Sequence, residues 1–388
     1  MKELLISLYL GATRIAFIFF KLFPLTNKTV FLSTFGDNAF FTARELASSS
    51  RQQLIFINDK KCKVDFSSIP ADNKIIYFSG TANVWEITHS IYHLATAKYI
   101  FIDNYAGALS AIRFKKEVTC VQLWHAAGAF KKFGWGDPET AKRSHKAKKR
   151  FQKVYDQFHY IPVGSQQMED IFIEAFHLDP SRILHTGVPQ TDFYFDKKAM
   201  QKGLERIYDC YPVLAGKTVI LYAPTFRKDS LSRMKMELDA SQFLEALDDS
   251  HVLLIRAHPS VQKAVQNFTD SRIILVSDYP QINDLLVVSD ILVTDYSSIP
   301  VEFSLLQKKM IFFTYDLESY SRTHGLWSMD EASFPGPIAR TTAEVITHIK
   351  DPDINYTEID RFKNQWNAFS DGVSARKLIN EIYDLKDL

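Results

Sequence analysis

Cysteine is scarce: Cys62, Cys120 and Cys210 are the only three in 388 residues, far apart and in no metal-ligand spacing. That excludes a disulfide framework and points to a reducing compartment. Net charge is nearly absent too, since 46 basic and 45 acidic residues leave +1. The chain therefore has no global field for nucleic acid, and any attraction to an anionic surface must be local. Also missing are the G-x-x-x-x-G-K-[ST] phosphate loop, the G-x-S-x-G elbow and the H-E-x-x-H zinc helix. Asp103, Asp290 and Asp295 sit on separate segments, so spacing supports no paired-carboxylate glycosidase. No internal repeat or low-complexity tract is visible.

What is present is a globular composition, 46% hydrophobic and 23% charged, on a chain long enough for two cores. Asp290 to Tyr320 is the most informative stretch. Ile291-Leu292-Val293 reads as a strand, Asp295-Tyr296-Ser297-Ser298 as a capping turn, Val301 to Leu306 as the start of a helix and Met310 to Thr314 as a second strand. Such a βαβ turn offers free main-chain N–H groups and a helix end to a phosphate. Ser297 and Ser298 would add hydroxyl donors and Glu302 an acceptor for a ribose hydroxyl. The plainer alternative is that Ser297 merely caps its helix.

Strands are predicted earlier at Lys28 to Ser33, Gln53 to Asn58, Lys74 to Phe78, Tyr99 to Asp103 and Val118 to Leu123. Helical stretches separate them, including Thr42 to Ser50, opened by Asp37 and Asn38, and Val84 to Ala97. A second series follows at Thr218 to Tyr222, Val252 to Arg256, Ile273 to Val276, Ile291 to Val293 and Met310 to Thr314. Alternating short buried strands and helices imply parallel sheets. The expected architecture is α/β with two Rossmann-like domains at 27–195 and 205–345, a helix at 1–26 and carboxyl-terminal helices at 346–388 that pack back on the first domain. Asp192 to Gly216, with helix and turn signals and little strand, is the candidate linker. The cleft between the halves is the expected site.

Leu4 to Leu22 is apolar apart from Arg14 and Lys21, and no cleavage site follows it. Two cations and Pro24 make an interfacial helix a better reading than a span. A helix buried against the first domain is the alternative. Between Phe130 and Lys153 the chain is strongly basic, with Lys131, Lys132, Lys142, Arg143, Lys146, Lys148, Lys149, Arg150 and Lys153. It is either a solvated helix face or a local field for pyrophosphate or anionic lipid.

Three strand-end loops carry chemistry-bearing side chains. His125, between Trp124 and the small residues Ala126, Ala127 and Gly128, can take a proton from a hydroxyl at neutral pH, or be structural. His258, in Arg256-Ala257-His258-Pro259, can donate to a phosphoryl oxygen. Arg256 suits either bidentate phosphate contact or a carboxylate pair. Thr225 and Arg227, in Tyr222 to Arg227, can hold a leaving phosphate.

Taken in order, LWHAAGAFKKFGW (Leu123 to Trp135), VGSQQMEDIF (Val163 to Phe172), TGVPQTDFYF (Thr186 to Phe195), YAPTFR (Tyr222 to Arg227), RAHP (Arg256 to Pro259), Val293 to Tyr320 and NAFSDGVSARKLI (Asn367 to Ile379) resemble the CDP-glycerol glycerophosphotransferase family of wall teichoic acid primases and polymerases. The resemblance implies a glycosyltransferase-B fold, CDP-glycerol as donor and an undecaprenyl-diphosphate-linked disaccharide as acceptor. It also implies a peripheral place on the cytoplasmic face of the cell membrane, on an anionic surface. It makes His125 the base and His258 a second essential histidine. Thr225, Arg227, Arg256, Asp295, Ser297, Ser298 and Glu302 fall on the donor side, and Asn104, Gly128 and Lys132 on the acceptor side. No cofactor, metal or nucleic acid is required. Ala126-Ala127-Gly128-Ala129 departs from the Gly, then Thr or Asn and Pro, common in that family, a place where the acceptor can differ. Lacking a large amino-terminal extension, the chain resembles a primase more than a polymerase. A polymerase, a CDP-ribitol-dependent transferase, a sugar-nucleotide glycosyltransferase and a non-catalytic binding protein are the competing expectations.

Overall fold

The computed structural model describes residues 2–71, 73–78, 83–225, 236–257, 270–327 and 331–383. The chain divides into two compact units. The first comprises Met1–Ala126, Phe133–Asp192 and Asn367–Leu388, and the second Ala127–Lys132 and Phe193–Trp366.

The first unit opens with helix α1 (Lys2–Phe20), then β1 (Thr26–Ser33), α2 (Asp37–Ser49), β2 (Gln53–Asn58), β3 (Lys74–Phe78), α3 (Val84–Thr96), β4 (Ala97–Ile102) and β5 (Thr119–Gln122). The five strands are parallel in the order β3-β2-β1-β4-β5. Val30, Phe31, Leu54 to Ile57 and Ile100 to Ile102 are buried in unbroken runs because helices cover both faces of the sheet. One face packs on α2 and on the helix Ser374–Ile382, with Leu378, Ile379 and Tyr383 in the same core as Phe31, Phe56 and Phe101. Helices α4 (Pro138–Ala141), α5 (His145–Tyr155) and α6 (Gln166–Phe176) follow, and β6 (Ile161–Pro162) pairs with β7 (Ile183–Leu184).

One feature of this unit departs from the expected outline. Helix α2 begins at Asp37 rather than Thr42, because Gly36 (φ 100°) makes the left-handed turn that starts it. Helix α1 lies mostly on the surface: 11% of Glu3–Phe20 is buried, and Leu4, Leu5, Leu8, Ile15, Ile18 and Phe19 are exposed. Its Glu3 carboxylate takes a bidentate pair from Arg150 Nη1 and Nη2 of α5, both at 3.0 Å.

Under α3, Lys28 and His93 are buried together, Lys28 Nζ lying 3.1 Å from His93 Nδ1 and donating to Thr96 Oγ1 at 2.6 Å. Burial lowers Lys28 to about 8. Burial first, and then the Lys28 charge, lower His93 to about 4.

The second unit contains α7 (Lys197–Cys210), β8 (Thr218–Ala223), α8 (Ala240–Ala246), β9 (His251–Ile255), β10 (Ile273–Leu275), α9 (Ile282–Val288), β11 (Ile291–Thr294), α10 (Ile299–Phe303), β12 (Lys309–Phe313), α11 (Leu317–His324), β13 (Ile338–Ala339), α12 (Thr342–Lys350) and α13 (Tyr356–Asn367). Its parallel sheet runs β10-β9-β8-β11-β12-β13. The first five strands repeat the order of the first unit, and Ile220, Leu253, Ile255, Val293 and Ile311 centre its core.

Where the sequence suggested a linker, α7 is an ordered helix of this unit. Arg206 Nε and Nη2 pair with the buried Asp284 carboxylate of α9 at 2.9 and 2.7 Å, and Gly203 lets the helices close on that carboxylate. Helix α10 is also shorter than expected, ending at Phe303 and continuing as a 3-10 turn, Ser304–Leu306.

Candidate active site

In the first unit the carboxyl edge of the sheet presents His125. The chain leaves β5 through an elbow pinned by two side chains through three hydrogen bonds. Gln122 Oε1 accepts from Trp124 N–H at 2.9 Å, and the fully buried Asn38 donates through Nδ2 to the carbonyls of Leu123 and Trp124, both at 3.2 Å. Asn38 Oδ1 accepts in turn from Gln190 N–H at 2.9 Å. The elbow needs this bracing because Trp124 has φ 59°, a conformation costly for a bulky L-residue and found where function demands it.

His125 itself is half-buried, and its Nδ1 is fully enclosed with no hydrogen-bond partner among the described residues. The Phe35 ring stacks on the imidazole with centroids 4.3 Å apart and planes 17° apart, and the Trp124 ring lies at 4.3 Å and 35°. Burial lowers the imidazole to about 4, opposed in part by the Asp103 main-chain carbonyl. The ring is thus neutral at physiological pH, as a proton acceptor must be.

Asp103 closes the same edge. Its buried carboxylate accepts from Thr34 N–H at 2.7 Å, Phe35 N–H at 3.0 Å and Gly36 N–H at 2.7 Å. Burial raises it to about 6, although the three N–H bonds favour the ionised form. Asn104 follows it, half-buried, with its carbonyl accepting from Gln122 Nε2 at 3.2 Å.

In the second unit the carboxyl ends of β8 and β11 are joined side by side. Thr294 Oγ1 donates to the Ala223 carbonyl at 2.7 Å. The buried Asp295 carboxylate accepts from Thr225 N–H at 2.8 and 3.0 Å and from Tyr296 N–H at 2.6 Å. Asp295 therefore shapes the two loops that carry Thr225 and Ser297. Ser297 Oγ accepts from Ile299 N–H at 3.3 Å, the modest capping role weighed above. Ser298 is half-buried and spends no side-chain hydrogen bond on capping. A helix of five residues supplies a smaller end field than the longer one expected.

Gly128 and Lys132, close behind His125 in sequence, belong to this second unit. Lys132 N–H donates to the Gly325 carbonyl at 3.1 Å, and Trp327 N–H donates to the Phe130 carbonyl at 2.7 Å. Ala127 N–H donates to Glu302 Oε1 at 3.4 Å, so Glu302 anchors the segment from its buried position on α10. Gly128 is a packing requirement, because a Cβ there would sit 2.6 Å from Val301 Cγ2. Lys132 lies against Gly325 and over the Trp327 ring at 5.2 Å. Arg256 donates through Nη1 to the Tyr279 carbonyl at 2.9 Å, holding the end of β9. Arg227 and His258 lie outside the described residues. Among the described residues, no cluster of three or more His, Cys, Asp or Glu side chains is placed to hold a metal ion.

Sequence reasoning passed over Phe35 and the positioning role of Asn38, and placed Asp103 at a ligand-binding strand end without giving it a role. Their roles depend on partners far away in sequence, which leave no local pattern. The one legible sign was Gly36-Asp37-Asn38, a turn that opens a helix immediately after a buried strand.

The family model described as "CDP-Glycerol:Poly(glycerophosphate) glycerophosphotransferase" matches residues 16–384. A teichoic acid glycerol-phosphate primase of Bacillus subtilis (strain 168) is 36% identical over 310 residues, covering 80% of this chain and 79% of that protein. A teichoic acid ribitol-phosphate primase of Bacillus spizizenii is 31% identical, covering 76% of each. The solved wall teichoic acid polymerase TagF superposes with a TM-score of 0.81 at 21% identity, over 97% of this chain and 94% of that one, a likeness of fold. With a match across nearly its whole length and a histidine and two stitched strand-end loops in place, the chain belongs to the CDP-glycerol:poly(glycerophosphate) glycerophosphotransferase family.

Proposed function

We propose that the chain is a teichoic acid primase, transferring glycerol phosphate from CDP-glycerol to an undecaprenyl-diphosphate-linked disaccharide and releasing CMP. The observation that carries the chemistry is the enclosed, neutral His125 at a sheet edge. An acceptor hydroxyl gives its proton to the His125 imidazole as its oxygen bonds the β-phosphorus, and the bond from that phosphorus to the bridging oxygen breaks, leaving with CMP. The loops of Thr225, Ser297 and Ser298, braced by Asp295, offer hydroxyl and main-chain donors to the diphosphate. Arg227 and His258 are assigned there from sequence alone, and Arg256 divides its fork between Tyr279 and the donor side. Glu302 is read as the ribose acceptor, and Asn104, Gly128 and Lys132 as facing the disaccharide. The two units together form a glycosyltransferase-B enzyme in this reading.

The same reading puts the enzyme on the cytoplasmic face of the membrane. Exposed Leu4, Leu8, Ile15 and Phe19 supply apolar area, and exposed Lys142, Arg143, Lys146 and Lys149 lie on and beside α5, which the Arg150–Glu3 pair ties to α1.

The deciding experiment incubates the full chain with CDP-glycerol and a synthetic lipid-linked disaccharide and analyses the product by mass spectrometry. One added glycerol phosphate supports the primase. A ladder indicates a polymerase, and turnover with CDP-ribitol alone indicates the ribitol enzyme. An unchanged rate of CMP release in His125→Ala removes the catalytic role of His125.

A further inference from the structure

A general base needs its ring held still. In most histidine bases one ring nitrogen does the chemistry while the other bonds an orienting carboxylate or carbonyl. His125 Nδ1 has no such partner among the described residues. The Asp103 main-chain carbonyl bonds the ring but leaves its plane free to turn about that bond, and the face-to-face ring of Phe35, 4.3 Å away and tilted by 17°, is placed to hold the plane.

Phe35 is an unusual residue for that position because it is 43% exposed. Burial of its own surface does not hold it over the histidine, so something must hold the loop. The Asp103 carboxylate does this by accepting from three successive N–H groups, Thr34, Phe35 and Gly36, at 2.7 to 3.0 Å. Cys62 Sγ donates to the Phe35 carbonyl at 3.4 Å from the other side. Gly36 permits the turn, since a Cβ there would lie 2.8 Å from both Cys62 Sγ and Val64. The loop is thus a rigid bracket with one exposed aromatic ring at its tip.

We propose that Phe35 and Asp103 are positioning residues for His125: Phe35 sets the plane of the imidazole, and Asp103 sets Phe35. The proposal rests on the reading of His125 as the proton acceptor. Stacking on a flat apolar ring leaves a single orientation in which the free nitrogen can meet the acceptor hydroxyl, and misplacement by about 1 Å costs on the order of a hundredfold in such reactions. The ring also excludes water from one face of the imidazole, which disfavours its charged form.

The test compares Phe35→Leu, Phe35→Tyr and Asp103→Asn in the full chain, with two readouts. The first is the rate of CMP release from CDP-glycerol in the presence of a lipid-linked disaccharide. Phe35→Leu and Asp103→Asn are expected to lower kcat about tenfold or more at unchanged KM for CDP-glycerol, and Phe35→Tyr, which keeps the flat ring, to recover most of the rate. The double variant Phe35→Leu/Asp103→Asn is expected to lose no more than the worse single one, because both act through one element. The second readout is NMR titration of the His125 ring, which should move from about 4 towards 6.5 in Phe35→Leu. A Phe35→Leu chain with the wild-type kcat and the wild-type titration overturns the proposal. Phe35 fills no core, so its substitution leaves folding intact even where Asp103→Asn does not. The titration needs no turnover and so decides the positioning separately from the assignment of the base. That assignment fails on its own if His125→Ala releases CMP at the wild-type rate.

Discussion

Asp103 and Asp295 do the same work at equivalent places in two different sheets. Each follows the strand beside the first strand of its unit, each is buried, and each turns its carboxylate back onto main-chain N–H groups of the loop leaving that first strand. In the first unit the loop carries Phe35, and in the second it carries Thr225. A carboxylate can accept several N–H bonds at once, which makes it an economical brace for a loop with no regular structure of its own.

Removing the second brace is therefore expected to act on donor binding. Asp295→Asn replaces one accepting oxygen by a donor that confronts Thr225 N–H. The cost is about 1–3 kcal/mol of stability, read by urea unfolding, together with a raised KM for CDP-glycerol. An unchanged KM would detach the β8 and β11 loops from the donor.

Gly128→Ala tests the approach of the 127–132 segment to α10. The new Cβ would lie 2.6 Å from Val301 Cγ2. Overpacking of this kind costs about 1–3 kcal/mol. Val301→Ala in the same chain should restore most of the loss of Tm, because the two changes share one space.

Acid should destabilise the fold through its buried histidines. His93 and His125 are both held near 4 when folded, against 6.5 in the unfolded chain. Between those values the unfolded chain takes up protons that the folded chain refuses, so stability falls as pH drops from 6.5 towards 4. Asp103 works in the opposite sense, since its folded value near 6 lies above 3.8 and the folded chain is protonated first. Two groups outweigh one. The urea midpoint should fall across this range, with a shallower slope in His93→Gln.

Membrane docking is tested on α1. Leu8 and Ile15 are 62% and 73% exposed, so Leu8→Asp with Ile15→Asp leaves the fold unchanged. Flotation with anionic vesicles should show about a tenfold loss of bound protein. Equal binding would mean that this apolar surface has another occupant.

The parallel sheets, their strand positions and the amino-terminal helix were legible because each depends on a local pattern of apolar residues. Val30-Phe31 and Leu221-Tyr222 announce buried strands wherever they fall. The bracing of His125 was not legible, since Asn38 and Asp103 meet their partners across 67 to 152 residues of chain and carry no periodicity. The allegiance of Gly128 and Lys132 was hidden for the same reason: Gly128 packs against Val301 and Lys132 bonds the Gly325 carbonyl. The helical signal of α7 was legible, but its packing was not, because that depends on Ile207, Gly203 and the distant buried carboxylate of Asp284.

The excursion of residues 127–132 into the second unit has a practical result for anyone dissecting the protein. A recombinant fragment of residues 193–366 would lack the piece that pairs with Gly325 to Trp327, leaving main-chain groups there bare to water and to other copies. Such a fragment is expected to precipitate unless the hexapeptide Ala127–Lys132 is grafted back by circular permutation or supplied in trans.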